Sequence, residues 1–284
     1  PALGFGGASP GASRLKARWS SRRAGGVLPP ACVCESRQRV HAASAGDGAG
    51  VIDSGFRLEA GSVHLHGRSI VELDGEPALC PGFHPLDLEP AEVAGLGMGV
   101  VCPAVTQVAG IDIRREVFRP SDRPDRLAVR LVVANGRPAP VRLMALTPVQ
   151  VGPGELRLGD TPAGEWVFVR QPRHKNDMPA AVVAGSATAG VWDAVRGTEE
   201  TGGWTAVAGE ALPRAFVSSE LTVLHAPGAS LLAGVFPLDQ QLVSSRLELE
   251  VDRRQLRDFR VTCLGDGQLL APGGQVASQR AAHR

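Results

Sequence analysis

From Val63 to Val251 the apolar residues recur at every second position in short runs, and no stretch carries the longer period of an amphipathic helix. Leu127, Val129, Leu131 and Val133 alternate with Ala128 and Arg130, and Leu247, Leu249 and Val251 alternate with Arg246, Glu248 and Glu250. Such strands hide one apolar face each, and the stable way to cover many of them is to stack antiparallel sheets. The expected fold is therefore all-β, an antiparallel β-sandwich over residues 51–276. Alternating helix and strand is excluded, and dinucleotide-binding architectures with it. The 35 glycines and 22 prolines suit many short strands joined by turns.

Turn signals divide the pattern. Asp74-Gly75 reads as a turn after the strand around Val63, and residues 88–97 as at most one helical turn. Residues 111–118 form a strand with its charges toward solvent. Asn135-Gly136 predicts a tight hairpin in which residues 141–149 return beside residues 127–133. A second hairpin is expected to join residues 155–158 to 166–169 through Gly159-Asp160. Weaker strand signals lie at 181–183, 206–207 and 216–224. The run 230–236 suits a central strand, and Gly265-Asp266-Gly267 a turn that closes the domain after residues 256–264. Residues 277–284 are expected to form a short C-terminal tail.

The first fifty residues are of another kind. They hold seven Lys/Arg against Glu35 and Asp47, are rich in Gly, Ala and Ser, and lack either periodicity. That composition matches a disordered basic tail of the organellar, plastid-like transit type, or a segment that is not native, with a cytoplasmic location as the alternative. Removing it from the totals of 30 basic and 29 acidic residues leaves 23 and 27, a net of −4 for residues 51–284. A nucleic-acid footprint is not expected on so acidic a body. No apolar run is long enough for a membrane helix, so a soluble domain is expected. The scattered Cys32, Cys34, Cys80, Cys102 and Cys263 fit neither a disulfide framework nor a zinc knuckle, and the last three read as buried thiols.

Few residues point to chemistry. No nucleophile elbow, zinc-protease helix or phosphate-binding loop is present, the glycines at 95–99 form a loop cluster, and nothing calls for a cofactor or a metal. His64 and His66 share one face of a strand, but without a third ligand they read as solvent-facing residues of an edge strand. Catalytic residues are therefore assigned to none. The most unusual segment is the polar loop 170–178. Arg170, Gln171, Arg173, His174, Asn176 and Asp177 offer both donors and acceptors, as a sugar or anion site needs, and the bland alternative is a solvated loop. Trp166, Trp192 and Trp204 are available to stack on a pyranose ring, although tryptophan in a sandwich belongs more often to the core.

Two stretches go beyond composition. Gly110-Ile-Asp-Ile-Arg-Arg-Glu-Val-Phe through Asn135-Gly136 to Leu143 resembles the strand–strand–Asn-turn segment of the N-terminal β-supersandwich domain of α-galactosidase-like glycosidases, the melibiases of the glycoside hydrolase family 36 clan. Leu231-Leu-Ala-Gly-Val-Phe-Pro-Leu-Asp-Gln-Gln-Leu, followed by Gly265-Asp-Gly-Gln-Leu-Leu-Ala-Pro-Gly-Gly, resembles the end of that domain, with Gly274 where the family usually has Glu. The resemblance spans roughly residues 51–280. It implies a non-catalytic sandwich that supports a (β/α)8 catalytic barrel expected C-terminal to Arg284, where the family's two catalytic aspartates reside. It also implies a galactoside-type carbohydrate as ligand, with loop 170–177 as the contact. The alternative from a different class is a free-standing carbohydrate-binding or structural β-sandwich without enzymatic activity.

Overall fold

The structure, a computed structural model, describes residues 55–80, 82–123, 125–171, 179–185, 214–236, 242–278 and 280–283. The basic segment 1–50, residues 206–207 and both Trp192 and Trp204 lie outside the described residues. In chain order the strands are β1 (Phe56–Ala60), β2 (Val63–Leu73), β3 (Glu76–Leu79), β4 (His84–Pro85), β5 (Glu89–Val93), β6 (Gly97–Val108), β7 (Ile111–Pro120), β8 (Leu127–Asn135), β9 (Val141–Val151) and β10 (Leu156–Leu158). A 3-10 turn at Ala163–Glu165 precedes β11 (Val167–Arg170), β12 (Ala180–Val183), β13 (Ala215–Ser219), β14 (Leu221–Ala226), β15 (Ala229–Phe236), β16 (Val243–Leu249), β17 (Leu256–Leu270), β18 (Gln275–Ala277) and β19 (Arg280–His283). No helix among the described residues is long and apolar enough to cross a membrane.

The strands pair antiparallel into two sheets. The smaller runs β1-β2-β9-β17-β16-β13, with β3 and β10 also on β2; the larger runs β12-β11-β14-β15-β19-β8-β7-β6-β4, with β18 on β8 and β5 on β6. Alternation decides what lies between them. Ile111, Ile113, Leu127, Val129, Leu131 and Val133 of the larger sheet are at most 1 % exposed, as are Leu143, Val149, Phe259 and Val261 of the smaller. Phe168 of β11 meets Phe216 of β13 with ring centroids 5.7 Å apart, which ties the two layers. Burial of each such side chain is worth about 1.5–3 kcal/mol. The antiparallel β-sandwich expected from the sequence is the observed fold.

Several local expectations are corrected, and three fail for one reason: the chain changes sheet where the sequence suggested a hairpin or an unbroken strand. β8 lies in the larger sheet and β9 in the smaller, so residues 127–133 and 141–149 are not ladder partners. β10 and β11 are likewise in different sheets, and only an isolated Leu158–Thr161 bridge forms between the expected hairpin arms. The single strand expected at 216–224 breaks at Glu220 (φ 62°), with β13 on one sheet and β14 on the other. Residues 88–97 hold no helical turn: β5 folds back on β6 through 94–96.

Gly265-Asp266-Gly267 does not close the domain but bulges out of β17, between Leu264 opposite Ala145 and Gln268 opposite Leu143. The expected C-terminal tail contains β19, which pairs with β15 on one side and β8 on the other. Its four residues, Arg-Ala-Ala-His, show no alternation to be read. In β7 one charge points inward. Arg115 is 6 % exposed and lies over the Phe83 ring (4.1 Å to the centroid) and the Phe56 ring (5.6 Å), where cation–π attraction replaces part of its lost hydration.

Candidate functional site

The root of the polar loop is firmly built. Arg170 is not a loop residue: it ends β11 between Ala180 and Thr222, and is 1 % exposed. Gln171 is exposed, and its backbone is held by Ser218, whose Oγ accepts from Gln171 N at 2.7 Å. Ser219 N donates to Gln171 O at 2.9 Å, and Thr222 Oγ1 to Val169 O at 2.8 Å. Two hydroxyls and a neighbouring strand thus fix where the chain leaves the sheet. Arg173, His174, Asn176 and Asp177 lie outside the described residues.

The other singled-out residues take structural places. Trp166 is 2 % exposed and its Nε1 donates to Thr161 O at 2.9 Å, so it belongs to the core. His64 and His66 do not sit on an edge strand: β1 pairs with β2 at both residues, and on the other side β10 pairs at His64 while His66 N donates to Glu155 O at 2.8 Å. His66 lies 3.8 Å from Glu155, whose carboxylate also takes Arg68 Nη2 and Gly152 N at 2.7 Å each. That cluster braces the turn before β10. No three His, Cys, Asp or Glu side chains are grouped to hold a metal among the described residues. Cys80, Cys102 and Cys263 are buried. Burial pushes the Cys80 thiol up to about 12, against a partial lowering by the Arg115 charge, which keeps it protonated and unreactive at neutral pH.

A second polar arrangement was hidden among the solvent-directed charges of residues 111–118. On the outer face of the larger sheet, Arg114 and Glu116 of β7, Arg130 and Val132 of β8, and Gln275, Val276 and Ala277 of β18 line an open groove of about 550 Å³. Register creates it: Glu116 stands opposite Arg130, Arg114 opposite Val132, and Ala277 opposite Val132 from the other side. Arg114 donates to Glu116 at 3.2 Å and to both oxygens of Glu89 at 3.0 and 3.2 Å. Arg130 reaches the other Glu116 oxygen at 3.8 Å. Beside the groove the same face turns apolar, where Val101, Phe118 and Ala128 are covered by Ala91, Val93 and Leu96. The β7–β8 half of the groove follows from pairing two alternating strands, but β18 comes from more than 130 residues away with no signal that names its partner.

One end of the sandwich joins the two stretches that carried the family resemblance. Asn135 is 1 % exposed, and its Nδ2 donates to Ala139 O at 2.9 Å and to Leu270 O at 2.8 Å. Its Oδ1 accepts from Arg137 N, its backbone N donates to Gly274 O, and its O accepts from Gly273 N. The Asn-turn segment and the Leu-Ala-Pro-Gly-Gly segment are thereby one structural unit.

No family model matches the chain, and no curated protein matches it. Among solved structures the fold is similar to a GH36 α-galactosidase, AgaB, from Geobacillus stearothermophilus (9 % identity, TM-score 0.44). It is also similar to the galactosidase domain of the α-galactosidase–sucrose kinase AgaSK (11 %, 0.46), and in both cases 76 % of this chain and 29 % of that chain are covered. A putative aldose 1-epimerase from Klebsiella pneumoniae is similar over 81 % of this chain and 59 % of its own (11 %, 0.33). The chain spans about 29 % of the length of the galactosidases it matches.

Proposed function

We propose that this chain is the non-catalytic sandwich domain of an α-galactosidase-like glycoside hydrolase, which supports a (β/α)8 catalytic barrel and contacts its sugar. The observation that carries the reading is the meeting of the two family-like stretches at Asn135. Residues 110–143 and 265–274 are far apart in sequence, yet one buried amide hydrogen-bonds across them. A likeness shared by two segments that form one unit is harder to produce by chance than two separate likenesses.

In this reading Gln171, Arg173, His174, Asn176 and Asp177 contact the sugar, a galactoside-type carbohydrate. Arg170, enclosed at the end of β11, has a positioning role instead. Planar side chains that donate and accept suit a ring of hydroxyls, and hydrogen bonds to charged groups are worth about 1.5–3 kcal/mol each. Pro172 stiffens the segment and lowers the entropy lost on binding. Calorimetric titration of galactose and raffinose into wild type, Arg173→Ala and Asp177→Ala, with a catalytic barrel supplied, tests the assignment. Each substitution is expected to weaken binding about tenfold or more at unchanged melting temperature. Equal affinities in all three proteins would leave the loop a solvated connection.

A further inference from the structure

The outer-face groove has features that a merely solvated sheet surface does not need. We infer that the groove between β7, β8 and β18 binds a neutral, hydroxyl-rich ligand, an oligosaccharide segment, independently of loop 170–177.

Its charges balance. Arg114 and Arg130 supply two guanidinium groups, Glu116 and Glu89 two carboxylates, and they are joined in one lattice. A small anion or cation is recognised by an excess of the opposite sign, which this lattice lacks. A polyol needs planar groups that donate and planar groups that accept, and the groove offers Arg130 opposite Glu116 at one end and Gln275, opposite Ala134, at the other.

The groove is held by rigid elements. Glu116 is only 15 % exposed at its side chain and is clamped by Arg114, so its position is set before any ligand arrives. Arg130, by contrast, is 3.8 Å from Glu116, a distance too long for a good hydrogen bond, and its guanidinium can turn to a ligand at little cost. The Gln275 amide has no hydrogen-bond partner among the described residues, and it opens onto the groove. Val132 and Ala277, opposite each other, give an apolar strip for the C–H faces of sugar rings. No aromatic ring lines the groove, so the expected affinity is weak, about millimolar.

The test is a titration of the full chain with raffinose, maltotetraose, cellotetraose and xylotetraose, and with a tetragalacturonate as the charged control, followed by NMR. Wild type, Arg130→Ala, Gln275→Ala and the double variant Arg173→Ala/Asp177→Ala are compared. At least one neutral oligosaccharide should bind, about tenfold or more weakly in Arg130→Ala and measurably more weakly in Gln275→Ala, with the double variant unchanged. If Arg130→Ala does not fold, Gln275→Ala, which removes only an unpartnered amide, decides. The inference is overturned if no neutral oligosaccharide binds wild type, if tetragalacturonate binds best, or if binding follows the loop variant while both groove variants behave as wild type. That last result would support the loop reading while removing this one, and loss in the groove variants alone would support this one and leave the loop reading to its own titration with a barrel.

Discussion

Asp74-Gly75 and Asn135-Gly136 are both Asx-Gly pairs following an alternating strand, and the chain treats them differently. At the first, both residues have positive φ, 54° and 88°, and β2 turns directly into β3 with Leu73 opposite Glu76. The left-handed pair matches the twist of the two strands, so a tight hairpin forms. At the second, neither residue has positive φ, Asn135 still faces Ile111 in the larger sheet, and the chain passes to the smaller sheet before β9 begins. The difference lies in the side chains. The Asp74 carboxylate stays at the surface, accepting from Arg142 N at 2.9 Å and lying 3.4 Å from Arg137. The Asn135 amide is buried and satisfies one carbonyl of its own turn, Ala139, and one of a distant segment, Leu270. A dipeptide preference of a few tenths of a kcal/mol to about 1 kcal/mol yields to a set of buried hydrogen bonds of that strength.

The largest expected effect tests the buried side of this contrast. Asn135→Ala removes three side-chain hydrogen bonds and leaves the carbonyl of Leu270 without its donor, which should cost about 3 kcal/mol or more in a urea unfolding measurement. Asn135→Asp should lose nearly as much, since a carboxylate cannot donate to those carbonyls. A loss below about 1 kcal/mol for both would show that the crossing is held by something other than Asn135.

A smaller effect probes the hairpin. An added Cβ at Gly75 meets nothing within 4 Å, so Gly75→Ala isolates the cost of a side chain at φ 88°, about 1–2 kcal/mol in the same unfolding measurement. A loss equal to that of Asn135→Ala would remove the distinction between a local turn and a tertiary joint.

These two sites also show how far the sequence could be read. Period-two alternation is local, and it places β2, β7, β8 and β16 and the facing of most of their side chains, while β15 shows as an apolar run. Which sheet a strand joins is not local. Asn135 reads as a turn residue because its distant partners, Leu270, Gly273 and Gly274, are fixed only by the folded chain. Arg115 lies among charges whose run suggests solvent on all sides, but strict alternation puts it on the face of Ile111, Ile113 and Val117, where Phe56 and Phe83 receive it. β19 carried no pattern, since Arg-Ala-Ala-His has neither β-branched residues nor alternation, and it is held by two flanking strands. Of the polar loop, its firm root was legible in neither Ser218 nor Thr222. The groove could be seen in part, from Glu116 opposite Arg130, and its β18 wall could not.

The hairpin and the crossing both shape a scaffold, and the functional proposal is that this scaffold supports hydrolysis without performing it. Incubating the purified chain with 4-nitrophenyl α-galactoside tests that most directly. Release of nitrophenolate is expected to stay at the uncatalysed rate, because no carboxylate pair in residues 51–284 has an assignable role as nucleophile and acid. Turnover that disappears when one carboxylate of that region is replaced by its amide would contradict the non-catalytic assignment.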